Sequence, residues 1–275
     1  EVTIQQILNL HKGVSGNLVI DLRELYFFLN LQNISFKKIN NRKWHIKAQG
    51  FREISEMQYL DLRKEIKSNI NSNNLILRGE AVFATSNMYK QNSNVCFLAN
   101  YKHKISIWEQ INLHYNSIIN KKKIENLDAI LDSENESIVL FGIKIIGINK
   151  LSKYYTNLIE ILSSDLGFKY DEKLRNAAYK SLKNMNEIDV DFVIANYYKE
   201  SYKNQLQILD LLAYKPSNTF FTFLRQVLES NSDNKIRLAC CKAIEALGSP
   251  LNLYLDKLID NNDELAIYAL HYRQK

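Results

Sequence analysis

The side chains able to do chemistry are thinly spread. The five histidines, His11, His45, His103, His114 and His271, fall in different stretches, and no HExxH pattern joins them. His103 and His114 lie three helical turns apart, about 16 Å along a helix axis, too far for one metal ion. Cys96, Cys240 and Cys241 offer neither a CxxC nor a Cys/His ligand spacing. An odd count with an adjacent pair is no disulfide framework; it reads as buried thiols in a reducing compartment. Gly13-Val14-Ser15-Gly16 is neither a nucleophile elbow nor a phosphate loop, since no GK[ST] follows, and reads as a helix end. Trp108-Glu109 is the one aromatic–acid pair of interest. Asp171-Glu172, Asp189 with Asp191, and Asp263-Glu264 fall where helices should begin, and there carboxylates complement the helix dipole. The expectation is no catalytic residue, no metal ligands and no cofactor.

Binding has a better candidate. Lys37, Lys38, Arg42, Lys43 and Lys47 are interleaved with Phe36 and Trp44. Bases stack on such rings in single-stranded nucleic acid complexes. Anionic lipid attracts such charges, at about 1 kcal/mol per basic residue. The plainer reading is a solvated turn with Trp44 turned into the core. Residues 1–125 carry 18 Lys+Arg against 10 Asp+Glu, and residues 126–275 carry 18 against 20, so the basic character sits in the first half. Lysine outnumbers arginine 27 to 9, which weakens nucleic-acid recognition because Arg makes the bidentate contacts. Lys121-Lys122-Lys123 reads as a solvated turn. Among the 16 tyrosines, Tyr154-Tyr155 and Tyr197-Tyr198 are candidates to line a groove.

The elements that must hold these residues are helices. Eight Gly and 2 Pro argue against turn-dense β architectures. A short pattern recurs: Leu77-Arg78 with Ala81, Leu174-Arg175 with Ala178, Ile236-Arg237 with Cys240. Asn73-Asn74, Asp171 and Ser232-Asp233 precede these copies as N-cap residues. Degenerate copies place anchors at 45, 78, 109, 140, 175, 207, 237 and 266, each preceded by a large apolar residue, Trp44 and Trp108 among them. Between anchors, residues 55–69, 151–162 and 217–230 follow the 3.6-residue period. Each unit then reads as two helices of about 12–16 residues. Residues 2–11 form a further helix, ended by Gly13 and Gly16, and residues 17–31 the next.

"NNLILRGEAVFAT" (73–85), "DEKLRNAAYKSLKNM" (171–185) and "SDNKIRLACCKAIEALGSP" (232–250) resemble the second helix of HEAT repeats, the armadillo-like class, of the bacterial type. The resemblance implies an all-α chain, an α-solenoid of about eight hairpins. It would form one repeat domain over 1–275, with a lead helix at 1–13 and repeats over 14–275. Arg78, Arg175 and Arg237 would then bond across repeats to capping acids. The implied function is a non-enzymatic scaffold that binds another protein. Because the chain opens on Glu1, the expectation is a fragment of a longer protein, the cytoplasmic part of one anchored at the inner face of a membrane. The membrane is reached through a segment outside these residues or through the basic half. The alternative from another class is a HEAT-like DNA-binding protein or alkylated-base glycosylase, in which Trp108-Glu109 would hold the base and stabilise the forming cation.

Overall fold

The computed structural model describes residues 1–89, 92–93, 95–119, 123–124, 127–163, 171–185, 189–248, 251, 253–260 and 264. The chain is all-helical. The one extended feature among the described residues is a two-residue parallel pairing of Asn92 with Lys123 and Ser93 with Ile124. The chain forms two compact units, Glu1–Phe141 and Gly142–Lys275, where the sequence reads as one run of repeats.

In the first unit the helices are α1 Val2–Gly13, α2 Asn17–Phe28, α3 Gln32–Ile39, α4 Trp44–Glu56, α5 Arg63–Lys67, α6 Leu75–Asn87, α7 Ile107–Ile119 and α8 Asp128–Leu131. The helix α9 Glu136–Ile148 begins there. The second unit holds α10 Tyr155–Ser163, α11 Glu172–Met185, α12 Val190–Asn196, α13 Tyr202–Tyr214, α14 Phe221–Ser230, α15 Asn234–Leu247 and α16 Leu253–Asp260.

The repeat is visible in the long helices. Those starting at Trp44, Leu75, Ile107, Glu136, Glu172, Tyr202 and Asn234 follow one another by 29 to 36 residues, and each has 13 or 14 residues. Three of their starts are built as the sequence implies. Asn74, Asp171 and Asp233 accept the amide hydrogens of Leu77, Leu174 and Ile236, each at 2.9–3.0 Å. This satisfies a backbone donor that has no partner inside the helix.

The intervening helices are shorter than expected. α5 has 5 residues and α8 has 4, and between α6 and α7 the chain makes a 3₁₀ helix, Val95–Asn100. Residues 55–69 are not one helix. α4 ends at Glu56, and Gln58 takes a left-handed backbone with φ 54°. The Tyr59 N–H then reaches back to the Ile54 carbonyl at 3.1 Å, closing a Schellman turn. Asn30 and Lys150 do the same with φ 54° and 51°, their successors bonding to Tyr26 and Ile146.

In the first unit α4 packs on α3 and α6, and α6 packs on α7. Ile4, Ile7, Leu8, Tyr26, Leu31 and Met57 form one core cluster that docks the lead helices. In the second unit α13 lies between α11 and α15, and α14 covers α15. Leu174, Ala178, Leu209, Leu212, Leu224 and Ile244 are buried there. Two glycines mark the closest approaches. A Cβ on Gly50 would stand 2.8 Å from the Ile39 nitrogen, and one on Gly147 2.6 Å from the Ser181 Cα.

Candidate functional site

The five residues of the basic stretch do not share one surface. Lys37, Arg42 and Lys43 are exposed and Lys47 is half-buried. Lys38 is buried, and its ammonium donates to Glu53 Oε1 at 2.7 Å. The cause is the helical period: Ser35, Lys38 and Ile39 form the inward face of α3. The Ser35 hydroxyl donates to Glu53 Oε2, the Tyr26 hydroxyl donates to Ser35 Oγ at 2.7 Å, and the Gln49 amide donates to Glu53 Oε1 at 2.8 Å. Ser35 and Lys38 have the i, i+3 spacing of a serine nucleophile and its lysine base. Here the serine proton goes to Glu53, the lysine is committed to the same carboxylate, and Ser35 is wholly buried. The cluster is a packing device.

Trp44, read as turned into the core, and Trp108, at the same apolar repeat position, are both exposed, at 41% and 71%. The reason is register. In α6, α11 and α15 the buried apolar residue is the third of the helix: Leu77, Leu174 and Ile236. Trp44 is the first residue of α4 and Trp108 the second of α7. At 100° per residue these positions face elsewhere. The third residue of α7 is Glu109, and it is the one that is buried.

Glu109 is therefore not a carboxylate waiting beside a ring. Its Oε1 accepts the Tyr101 hydroxyl at 2.7 Å, and its Oε2 accepts both the N–H and the hydroxyl of Ser106 at 2.7 Å. The Glu109 N–H donates back to Ser106 Oγ at 3.2 Å. Ser106 and Glu109 are the two ends of a capping box. Arg78 Nε donates to the Tyr101 hydroxyl at 3.2 Å, and its Nη1 to the Ser72 carbonyl at 2.9 Å. Burial, with the Glu109 carboxylate alongside, pushes the Tyr101 phenol well above its ordinary range.

The second unit has a comparable buried cluster. Arg175 forms an ion pair with Glu200, both side chains almost fully enclosed. Glu200 also accepts the Tyr179 hydroxyl at 2.8 Å and the Asn204 amide at 2.9 Å. Arg175 thus reaches into the next helical pair, to the residue before the cap Ser201 and not to a capping acid. Arg237 is half-buried. Tyr154 and Tyr197 are buried, Tyr155 is half-buried and Tyr198 is exposed, so neither tyrosine pair lines a groove as a unit.

Among the described residues a groove of about 540 Å³ lies between α6 and α7. One face of α6 supplies Ile76, Gly79 and Phe83, and α7 supplies Trp108 and Leu113. The Arg52–Glu80 ion pair stands at its α4 margin. Leu75 and Ile76 in the first turn of α6, and Ile107 and Ile111 beside Trp108, are exposed too. A concave, mainly apolar volume of this size is what ligand sites usually offer. The sequence signal was available: Trp108, Ile111 and Tyr115 recur at i, i+3, i+7 outside the buried register of α7.

No group of three metal-ligating side chains occurs among the described residues. His103 Nε2 lies 3.2 Å from the Asn71 carbonyl, and His11 Nδ1 3.7 Å from Glu56. None of the three cysteines forms a disulfide; burial pushes the Cys240 thiol up to about 12. Among the described residues no helix is long and apolar enough to cross a membrane. His271, the anchor at 266, and most of Lys121-Lys122-Lys123 lie outside the described residues, as does Asp263. Compared with known proteins, the chain matches no family model and no curated protein.

Proposed function

We propose that the chain is a non-enzymatic scaffold that binds another protein, built as an α-solenoid of HEAT-like hairpins. The observation that carries this reading is the recurrence of long helices at intervals of 29 to 36 residues, three of them with the same Asn/Asp-capped start. Such units bury their apolar faces against their neighbours and leave their outer positions available for contact. The side-chain links between successive long helices support it. Arg52 pairs with Glu80, Asn176 with Asn204 and Lys183 with Asp210, at sequence separations of 28, 28 and 27. Against the glycosylase alternative, Glu109 already accepts three hydrogen bonds from Tyr101 and Ser106. The absence of disulfides accords with a cytoplasmic setting.

The test is cross-linked capture of the tagged chain from its own cells, before and after nuclease treatment. A polypeptide partner retained after nuclease is the expected result. Recovery of nucleic acid alone, lost as salt is raised, would overturn the reading.

A further inference from the structure

The turn between α3 and α4 exposes side chains that the fold itself does not use. Phe36 and Trp44 are 45% and 41% exposed, and Lys37, Arg42 and Lys43 are exposed with them. They occupy the last turn of α3, the first residue of α4 and the four residues between the two helices. The connection is tied by its own hydrogen bonds. The Asn41 N–H donates to the Lys38 carbonyl at 3.0 Å, the Asn40 side-chain amide to the Phe36 carbonyl at 3.1 Å, and the Lys43 N–H to Asn41 Oδ1 at 2.8 Å. With α3 packed along α4, the two rings sit at the end of a helical hairpin.

The charge there has one sign. Between Glu24 and Glu53 the chain has six Lys or Arg and no carboxylate. Lys38 answers Glu53 and, at 3.6 Å, Glu1; Arg52 answers Glu80. Among the described residues no carboxylate pairs with Lys37, Arg42 or Lys43. The helix start does not call for Arg42 and Lys43 either. A cation at the N-terminus of a helix opposes its dipole. Lys43 stands where α6, α11 and α15 carry Asn74, Asp171 and Asp233.

We infer that the α3–α4 turn docks on the surface of an anionic phospholipid bilayer. Phe36 and Trp44 enter the headgroup region, and Lys37, Arg42 and Lys43 face its phosphates. Phe36 has no polar atom, so its exposure carries a cost in water that the bilayer interface removes. The position of the rings favours a bilayer over other anionic partners. A peptide or a stacked base needs walls around the ring, and neither ring lines the α6–α7 groove. Two Lys and one Arg are also few for nucleic acid, where affinity comes from neutralising many phosphates at once. The inference goes beyond the protein-binding reading and does not depend on it.

The experiment is co-sedimentation of the full chain with two kinds of vesicle: phosphatidylcholine alone, and phosphatidylcholine mixed with phosphatidylglycerol. Expected is binding to the mixed vesicles about tenfold tighter than to the neutral ones, weakening as salt rises. Joint reversal by Lys37→Glu, Arg42→Glu and Lys43→Glu should cut that binding by about tenfold or more. The three cations are exposed, so the reversed chain keeps its fold, which a urea melt verifies. Phe36→Ala with Trp44→Ala should cut binding by about fivefold and leave the salt dependence in place. Trp108→Ala, which removes the other exposed indole, should bind as the parent does. Equal binding to neutral vesicles, binding to neither kind, or unchanged binding by the two turn variants would overturn the inference. A loss with Trp108→Ala as large as with the turn variants would do the same. Capture of a single-stranded oligonucleotide in place of vesicles, lost on charge reversal, would assign the turn to nucleic acid and also overturn it. Each of these results leaves the protein-binding reading standing.

Discussion

At the scale of single residues, polar side chains placed inside the helical layers are paired with one another. Arg175 and Glu200 are both enclosed, and each has further partners, the Ile161 carbonyl for the arginine and Tyr179 and Asn204 for the glutamate. Removing one partner strands the other charge in a poorly solvated site. Arg175→Met should therefore lower unfolding free energy by about 3–5 kcal/mol. Adding Glu200→Gln, which leaves an acceptor for Tyr179, should recover at least half of that. Urea melts of the two variants check this, and equal losses would mean the pairing is not what matters. This scale is also where the sequence is hardest to read. Lys37 and Lys38 are adjacent and identical, yet one is solvated and the other is committed to Glu53, because one residue turns a helix by 100°. Ser106-Ile107-Trp108-Glu109 spells a capping box, a pattern that the pairing of Trp108 with Glu109 alone leaves out.

At the scale of elements, the long helices were legible, since a cap residue, a buried third position and a small residue recur together. Of the short ones, α10 and α14 fall on the periods read over 151–162 and 217–230, but α5 and α8 did not register. Their 4- and 5-residue lengths and 3₁₀ turns leave too little chain for a period to register. The helix ends were obscured by composition. A chain with only 8 glycines closes its Schellman turns with Asn30, Gln58 and Lys150, residues that carry no sequence signature of a left-handed backbone except for the asparagine. Each such non-glycine position costs about 1–2 kcal/mol where a Cβ crowds the following carbonyl. Lys150 is exposed. Lys150→Gly should therefore raise stability by about 1 kcal/mol, seen as a higher midpoint in urea with unchanged slope. A lower midpoint would mean that the lysine side chain has a structural role.

At the scale of the whole chain, the two-unit division changes the meaning of the charge. Residues 1–141 carry 18 Lys+Arg against 14 Asp+Glu, and residues 142–275 carry 18 against 16, so cutting at the unit boundary leaves both parts mildly basic. The strongly basic half was a product of cutting at residue 125, just before four carboxylates at 128, 132, 134 and 136. Stability should respond to pH through His11, in the last turn of α1 and facing Glu56 at the end of α4. Burial and then Arg23 hold His11 below its ordinary 6.5, with the Glu56 carboxylate 3.7 Å from its Nδ1. The unfolded chain then takes up that proton more readily. Its contribution is fully present above pH 6.5 and is lost as pH falls through the folded value. Burial raises Glu56, which has the opposite sign and acts nearer 4.5. Melts at pH 7.5 and 5.5 should show a drop on acidification that His11→Asn reduces; an equal drop in both would clear His11 of the effect. The exposure of Trp44 and Trp108 carries one more consequence. Both indoles belong to the first unit, and Trp108 forms a wall of the groove. The indole emission, excited apart from the tyrosines, is thus an unlabelled optical gauge of that unit alone: red-shifted and open to iodide quenching while the rings are exposed, and moved to shorter wavelength when Trp108 is covered.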